Sequence, residues 1–375
     1  MKEGWTYKKL GEVCNIDFGN RVVKSRDAGS IYPVYGGGGA TFKMDTFNRE
    51  DCVVISRFGM SEQCTRIVKG KFFLNDSGLT LSLKNPCMVQ PFMDWQILSL
   101  NNKIYSLGRG AAQKNLDTKA LAELTISYPE ISKQEQVVER LDAAFENIDK
   151  LKANAEKQLA EVQTLFQKSL AKAMKPKEGW EVVKLESLCT DVVDCPHSTP
   201  RKAEHPTQYP CIRTSELKGG NIEWSSMQYL EEEEYIVRTA RIKPQCNDIV
   251  YGREGTYGDA VLLPEGYFFS LGQRTMLFRP NIGKVVPKFL HYNVISSHVY
   301  EQAKAKNSGC GVGHVNVKDI KLFDIGIPKS LAEQQRIVER LDALSENIRK
   351  YEEIQRQIIS ECDALKQALL RKVFE

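Results

Sequence analysis

The sequence predicts an α+β fold: two mixed α/β globular units, each followed by one very long helix, with the plan repeated once inside the chain. Three observations predict it. The hexapeptide Val138-Glu139-Arg140-Leu141-Asp142-Ala143 returns unchanged 200 positions later as Val338-Glu339-Arg340-Leu341-Asp342-Ala343. Around both copies, apolar residues step by three and four, the period of an amphipathic helix. Ahead of each copy lies a region of short β-rich runs cut by glycine turns. Repeats of this size are read first, because they set the architecture.

The repeat begins at the amino end. Glu3-Gly4-Trp5 returns as Glu178-Gly179-Trp180, Lys9-Leu10 as Lys184-Leu185, and Cys14 as Cys189. That offset is 175 residues, so the second globular unit carries about 25 more residues than the first. In the first unit, Tyr32 to Tyr35, Cys52 to Ser56, Lys71 to Leu74 and Leu79 to Leu83 read as strands. Gly36–Gly39 reads as a tight strand-to-strand turn, since it lacks the Lys and Ser/Thr of a phosphate loop. Phe92 to Leu100 reads as a helix, and Gly108 to Leu116 as a polar and basic loop. The second unit follows suit. Asp248 to Gly258 reads as a strand ending in a glycine turn, Tyr267 to Phe278 as a strand pair, Phe289 to Ala305 as a helix, and Asn307 to His314 as the counterpart loop.

Pro129 and Pro328 end what precedes each long helix. Ser132-Lys133-Gln134-Glu135 and Ser330-Leu331-Ala332-Glu333 fit capping boxes. A helix from Ser132 to Met174 would be roughly 64 Å long. Two such stripes are most simply buried by packing on each other as a coiled coil. Lys175-Pro176-Lys177-Glu178-Gly179 reads as a hinge. The expected division is residues 1–130 and 176–329 for the globular units, with 131–175 and 330–375 for the helices.

Composition narrows the class. The chain has 375 residues, 42% hydrophobic and 27% charged, with a net charge of +4. No run approaches the ~18 apolar residues of a membrane span, and no secretory start is visible. None of the ten cysteines forms a Cys-x-x-Cys pair, so reduced thiols and a cytoplasmic location are expected. No Asn-Pro-Pro-Tyr-like tetrapeptide and no nuclease-like acidic pair is present. Cys189, Cys195, His197, His205 and Cys211 match no regular zinc spacing, and core thiols are the better reading. The acidic run Glu231–Glu234 reads as a solvated face.

Basic and amide side chains beside glycine turns and aromatics carry more information, since Arg and Lys reach phosphates and guanine edges, and Asn and Gln reach adenine. In the first unit these are Tyr35, Lys43, Arg57, Arg109, Gln113 and Lys114. In the second they are Arg213, Arg253, Thr256, Tyr257, Arg274, Asn307, Ser308 and His314. The paired placement strengthens the group more than any single member.

With its repeated Gly-Trp starts, its Pro129 and Pro328 stops and its duplicated Val-Glu-Arg-Leu-Asp-Ala helices, the chain resembles the specificity subunit of a type I restriction–modification system. Tyr32-Pro33-Val34-Tyr35-Gly36-Gly37, Arg253-Glu254-Gly255-Thr256-Tyr257-Gly258 and Gly272 to Pro280 add to the resemblance, which covers nearly the whole chain. It implies two target-recognition domains, each reading one half of an asymmetric split site in double-stranded DNA. It implies helices packed antiparallel as a spacer ruler, docking two modification (methyltransferase) subunits, with Val138, Leu141, Phe145, Val338, Leu341 and Ile348 as candidate docking residues. The chain itself would hold no metal and catalyse nothing. S-adenosylmethionine would sit in the methyltransferase partners, and restriction subunits would bring ATP and Mg. The rival readings are a protein-binding coiled-coil adaptor and a metal-dependent nucleic-acid enzyme.

Overall fold

The two long helices are Ile131–Met174 and Leu331–Phe374, 44 residues each. The computed structural model describes residues 2–110, 113–255, 257–307 and 313–375, apart from the side chain of Gln163. These fall into two compact units, Met1–Glu156 with Gln355–Glu375, and Lys157–Ile354. Each unit therefore takes one globular region and a piece of both helices, where the sequence suggested four consecutive segments.

The first helix starts one residue before Ser132, so that serine lies inside the first turn and cannot cap it. The amides of Lys133 and Gln134 donate instead to the Glu130 carbonyl. In the second copy Ser330 does stand just ahead of the helix, and its carbonyl accepts from Glu333 and Gln334.

In unit 1 the strands are β1 (Thr6–Lys9), β2 (Cys14–Phe18), β3 (Tyr32–Tyr35), β4 (Ala40–Met44), β5 (Arg49–Ser56), β6 (Thr65–Leu74), β7 (Gly78–Leu83), β8 (Gly108–Arg109), β9 (Asn115–Leu116) and β10 (Thr125–Tyr128). Six of them form one sheet in the order β2-β7-β5-β6-β3-β4, antiparallel except where β3 meets β6. The glycine run joins β3 to β4 as expected. β1 and β10 pair with each other, Thr6 opposite Tyr128.

Unit 2 continues with β11 (Trp180–Lys184), β12 (Cys189–Asp194), β13 (Pro210–Ile212), β14 (Leu217–Lys218), β15 (Asn221–Ile222), β16 (Gln228–Tyr229), β17 (Ile249–Gly252), β18 (Ala260–Leu262), β19 (Ser270–Leu271), β20 (Thr275–Pro280) and β21 (Asp324–Pro328). Its four-stranded sheet has the order β12-β20-β17-β18, which reproduces β2-β7-β5-β6. β13 pairs parallel with β19, as β3 does with the end of β6. β11 pairs with β21, Trp180 opposite Pro328. The expected strand pair in Tyr267–Phe278 is thus two strands in two sheets. The expected Phe289–Ala305 helix is two helices, Pro287–Val294 and Ser297–Ala305, broken where Ser296 takes an extended N-cap conformation.

The repeated helix sequence explains itself through packing. Gln134 and Gln334 are fully buried. Gln134 Oε1 accepts from the Val89 amide at 2.9 Å, and its Nε2 donates to the Cys87 and Pro129 carbonyls at 3.1 and 2.8 Å. Gln334 repeats this with Val286, Lys284 and Pro328 at 2.8, 3.3 and 3.1 Å. Each glutamine ties its long helix to the amino end of a helix in its own globular region, Gln90–Ser99 or Pro287–Val294. Asp142 accepts from the Trp95 indole at 3.0 Å, whereas Asp342 takes the Tyr292 hydroxyl at 2.5 Å and Lys288 at 2.9 Å.

Within each unit the two helical segments run antiparallel. In unit 1 Lys152 pairs with Asp363 at 2.7 Å and, one turn earlier, Asp149 with Lys366. In unit 2 Leu170, Met174, Val338 and Leu341 share one core, and Tyr351 donates to Gln158 at 2.8 Å.

The candidate docking residues need correction here. Leu141, Phe145, Val338 and Leu341 are buried, and Val138 and Ile348 are half-buried. Phe145 packs on Trp95, ring centroids 4.4 Å apart. These six side chains are spent on the chain's own units and offer a partner almost nothing, while Leu151, Ile354 and Leu365 of the same helices stay exposed.

Candidate nucleic-acid interface

The two units present the same frame of turns. In unit 1 the chain leaves β5 at Arg57. The Arg57 amide donates to the Ser77 carbonyl at 2.8 Å, and its carbonyl accepts from Leu116 at 2.8 Å. Three residues on, the Met60 amide donates to the Lys114 carbonyl at 2.9 Å. In unit 2 the chain leaves β17 at Arg253. Its amide donates to Arg274 at 3.0 Å and its carbonyl accepts from Val315 at 3.0 Å, while Gly255 donates to Gly313 at 2.9 Å. Gly59 and Gly255 both take left-handed backbone, φ 58° and 74°, where glycine is the undemanding residue. Arg57 and Arg253 are therefore equivalent positions in two copies of one loop cluster.

Their side chains differ. The Arg57 guanidinium lies 4.6 Å from the Phe18 ring centroid and 4.5 Å from that of Phe58. Both rings are largely open to solvent, 45% and 42% exposed. No carboxylate pairs with Arg57 among the described residues. The glycine turn closes one side of this rim. Gly37 accepts from the Ser56 hydroxyl and from Arg66, and a Cβ on it would come within 2.9 Å of the Phe58 carbonyl. Gln113 and Lys114 stand on the hairpin opposite, Lys114 over the Tyr105 ring at 4.0 Å.

Arg253 is a correction to its reading as a free contact. Its side chain is only 6% exposed and pairs with Asp194 at 3.1 Å and Glu254 at 3.2 Å. His314 and His197 approach the same guanidinium at 3.5 and 3.4 Å. A charge surrounded like this holds the loop; it does not meet a ligand. Arg213 is similarly committed, to buried Glu216 and to the Ser226 carbonyl. Of the three arginine candidates of unit 2, Arg274 is the open one. Its side chain is 54% exposed, and its left-handed backbone (φ 69°) turns it outward beside Glu254 at 3.2 Å. It lines a cleft of about 460 Å³ together with Thr199, Lys202, Arg213, Gln228 and Gln273.

The remaining candidates divide. Tyr257 stacks on Tyr300, 5.8 Å apart with planes at 10°. Asn307 accepts from the His314 amide at 2.8 Å. Arg109 projects from β8, 82% exposed, and pairs with Asp117. Tyr35 is a packing residue, its ring edge-on to Phe72 at 5.5 Å. Lys43 lies at the end of edge strand β4 away from the glycine turn, so the fold does not bring it to the rim. Thr256 and Ser308 lie outside the described residues.

Phe18, Lys202 and Gln273 were not legible as site residues. Phe18 reaches Arg57 only because β7 lies between β2 and β5, with Leu79 opposite both Phe18 and Ile55. The acidic run also needs correction: Glu234 is buried and pairs with Arg201 at 3.0 Å and Arg238 at 3.7 Å, while Glu231 to Glu233 are exposed. Among the described residues no group of three His, Cys, Asp or Glu is placed to hold a metal. Burial pushes the Cys189 thiol up to about 12, and raises Cys195 and Cys211 as well, as expected of thiols packed in a core. No helix of the described residues is long and apolar enough to cross a membrane.

Comparison with known proteins agrees with this organisation. The family model described as type I restriction modification DNA specificity domain matches twice, at residues 2–161 and 177–359. The specificity subunit of the type I restriction enzyme EcoKI of Escherichia coli K12 is 25% identical over 300 residues, 73% of this chain and 62% of its own length. That of EcoBI, also from Escherichia coli, is 20% identical over 286 residues, 70% of this chain and 60% of its own. The chain thus spans about three fifths of the length of these curated relatives. A chain from a structure describing complex assembly and conformational transition of the type I R-M system superposes with a TM-score of 0.73. It is 16% identical over 100% of this chain and 98% of that one, a likeness of fold.

Proposed function

Because the chain belongs to the type I restriction modification DNA specificity domain family, we propose that it is the non-catalytic specificity subunit of such a complex, working in the cytoplasm. Each unit reads one half of a split, asymmetric site in double-stranded DNA. The observation that carries this is the duplicated loop frame around Arg57 and Arg253, with different side chains mounted on it. Equal frames supply two readers, and unequal side chains make the two half-sites different. The turn rims hold backbone amides, guanidiniums and amide side chains, the groups that meet phosphates and base edges.

The long helices would act as the ruler between half-sites, related by a pseudo-two-fold, and as the dock for two methyltransferase subunits. The docking face is polar. Glu139, Arg140, Ala143, Asn147 and Lys150 are exposed, as are Glu339, Arg340, Ala343, Asn347 and Lys350. At 100° per residue they share one side of their helix. Buried identity between the copies is explained by packing, but exposed identity is not, and two like surfaces suit two copies of one partner. S-adenosylmethionine would be held by those partners, and ATP and Mg by restriction subunits where they join.

The test is to map methylated positions in cells that carry this chain with its neighbouring methyltransferase. A two-part motif with an unread spacer is expected, and it should vanish without this chain. An unbroken motif, or methylation by the purified chain alone, would overturn the reading.

A further inference from the structure

The pair of equivalent arginines differs in a way that assigns a specific task to one of them. Resting on the DNA-reading function proposed above, we infer that Arg57, held between Phe18 and Phe58, recognises a guanine in the major groove, and that unit 2 has no such reader at the equivalent position.

Arg57 is a half-buried cation at the mouth of a loop cluster, and none of the ion pairs among the described residues engages it. Its guanidinium is fixed by two phenyl rings, 4.6 and 4.5 Å from the centroids. Two rings this close restrict the guanidinium, and no hydrogen bond or ion pair among the described residues takes its N–H groups, which leaves them for a partner. A guanidinium edge matches the O6 and N7 acceptors of guanine in two parallel hydrogen bonds. The support is stiff. The Arg57 amide and carbonyl are both bonded to neighbouring turns, and Gly37 packs against the Phe58 carbonyl. Such pre-organisation is what selective base reading requires, because an unheld arginine meets phosphate as readily as base. At the matching place in unit 2, Asp194 and Glu254 already occupy the Arg253 guanidinium. A neutralised, enclosed arginine has no edge to offer. Phe18 and Phe58 are positioning residues, and a leucine at either one keeps the apolar volume but not the flat face.

The experiment uses the full chain co-expressed with its methyltransferase, reading the methylated motif genome-wide and duplex binding at several salt concentrations. The wild-type motif should contain a guanine in one half that Arg57→Ala relaxes, with about tenfold to a hundredfold less discrimination at that one position. Arg57→Gln should exchange the preference there from guanine to adenine, since a glutamine amide matches the N6 and N7 of adenine. Phe18→Leu and Phe58→Leu should weaken discrimination at the same position and leave the other half unchanged. Arg57→Ala that keeps the motif intact, or Arg57→Gln that lowers binding to all sequences alike with a shallower salt dependence, makes Arg57 a phosphate contact and overturns the inference while the split-site reading stands. A wild-type chain that directs no two-part motif overturns both.

Discussion

Arg253 and Arg57 are the same residue type on the same loop frame, and local sequence does not tell them apart. What separates them is Asp194, which sheet order brings from β12 across β20 to the end of β17. An ion pair that depends on strand order cannot be read from a window of neighbours, and this is why one arginine of the pair was misread. Arg253→Ala should take the buried cation from two half-buried carboxylates, one of which still faces Arg274, and lower stability by about 1–3 kcal/mol. Denaturant unfolding checks this, and a loss below about 1 kcal/mol would contradict the arrangement. Asp94 offers a second test at this scale. It is buried in the Gln90–Ser99 helix, and that burial pushes its carboxyl up to about 6, against the hydrogen bond from Gln90 at 2.9 Å. The unfolded carboxyl titrates near 3.9. Between roughly pH 4 and 6 the folded chain therefore holds the extra proton, and stability falls as pH rises through that window. Asp94→Asn should be more stable than wild type at pH 7 by about 2 kcal/mol, with the gap closing below about pH 4. A gap that is the same at both pH values would mean the carboxyl is not strained.

Among the elements, the long helices were the most legible. Their stripe repeats in two copies, and periodicity over such a length outweighs local propensity. What the stripe packs on was not legible. An apolar face reads the same whether it covers a partner or its own globular unit, and Leu141 and Leu341 turned out to cover their own. The ruler proposal belongs at this level. Four residues inserted between Ala155 and Leu159 nearly keep the helical register, since a turn holds about 3.6 residues, and add about 6 Å. The unread spacer should lengthen by about one to two base pairs at ~3.4 Å each, with both half-sites unchanged. Mapping the methylated motif measures it, and a well-methylated site with its original spacer would show that the helix does not measure distance. Pairs such as Lys152 with Asp363 oppose the change, so some of the inserted length can be absorbed as a bulge.

For the molecule as a whole, duplication was visible while division was not. The sequence reads as four consecutive segments, but the compact units each draw on both ends of the helical part. Only long-range pairs such as Asp149 with Lys366 reveal this. If the units read independently, exchanging residues 11–128 for those of a relative should change one half of the methylated motif and leave the other intact; simultaneous change in both halves would refute independence. The hairpin-like pairing of β1 with β10, and of β11 with β21, makes such an exchange mechanically simple. The chain enters and leaves each globular region side by side, so a foreign insert needs only two neighbouring strand ends to fit. The hexapeptide shared by the helices that follow, Val138 to Ala143 and Val338 to Ala343, stands just after each globular region. On the function proposed above, exchanging one globular region would supply a new reader and leave the surfaces of the long helices as they are.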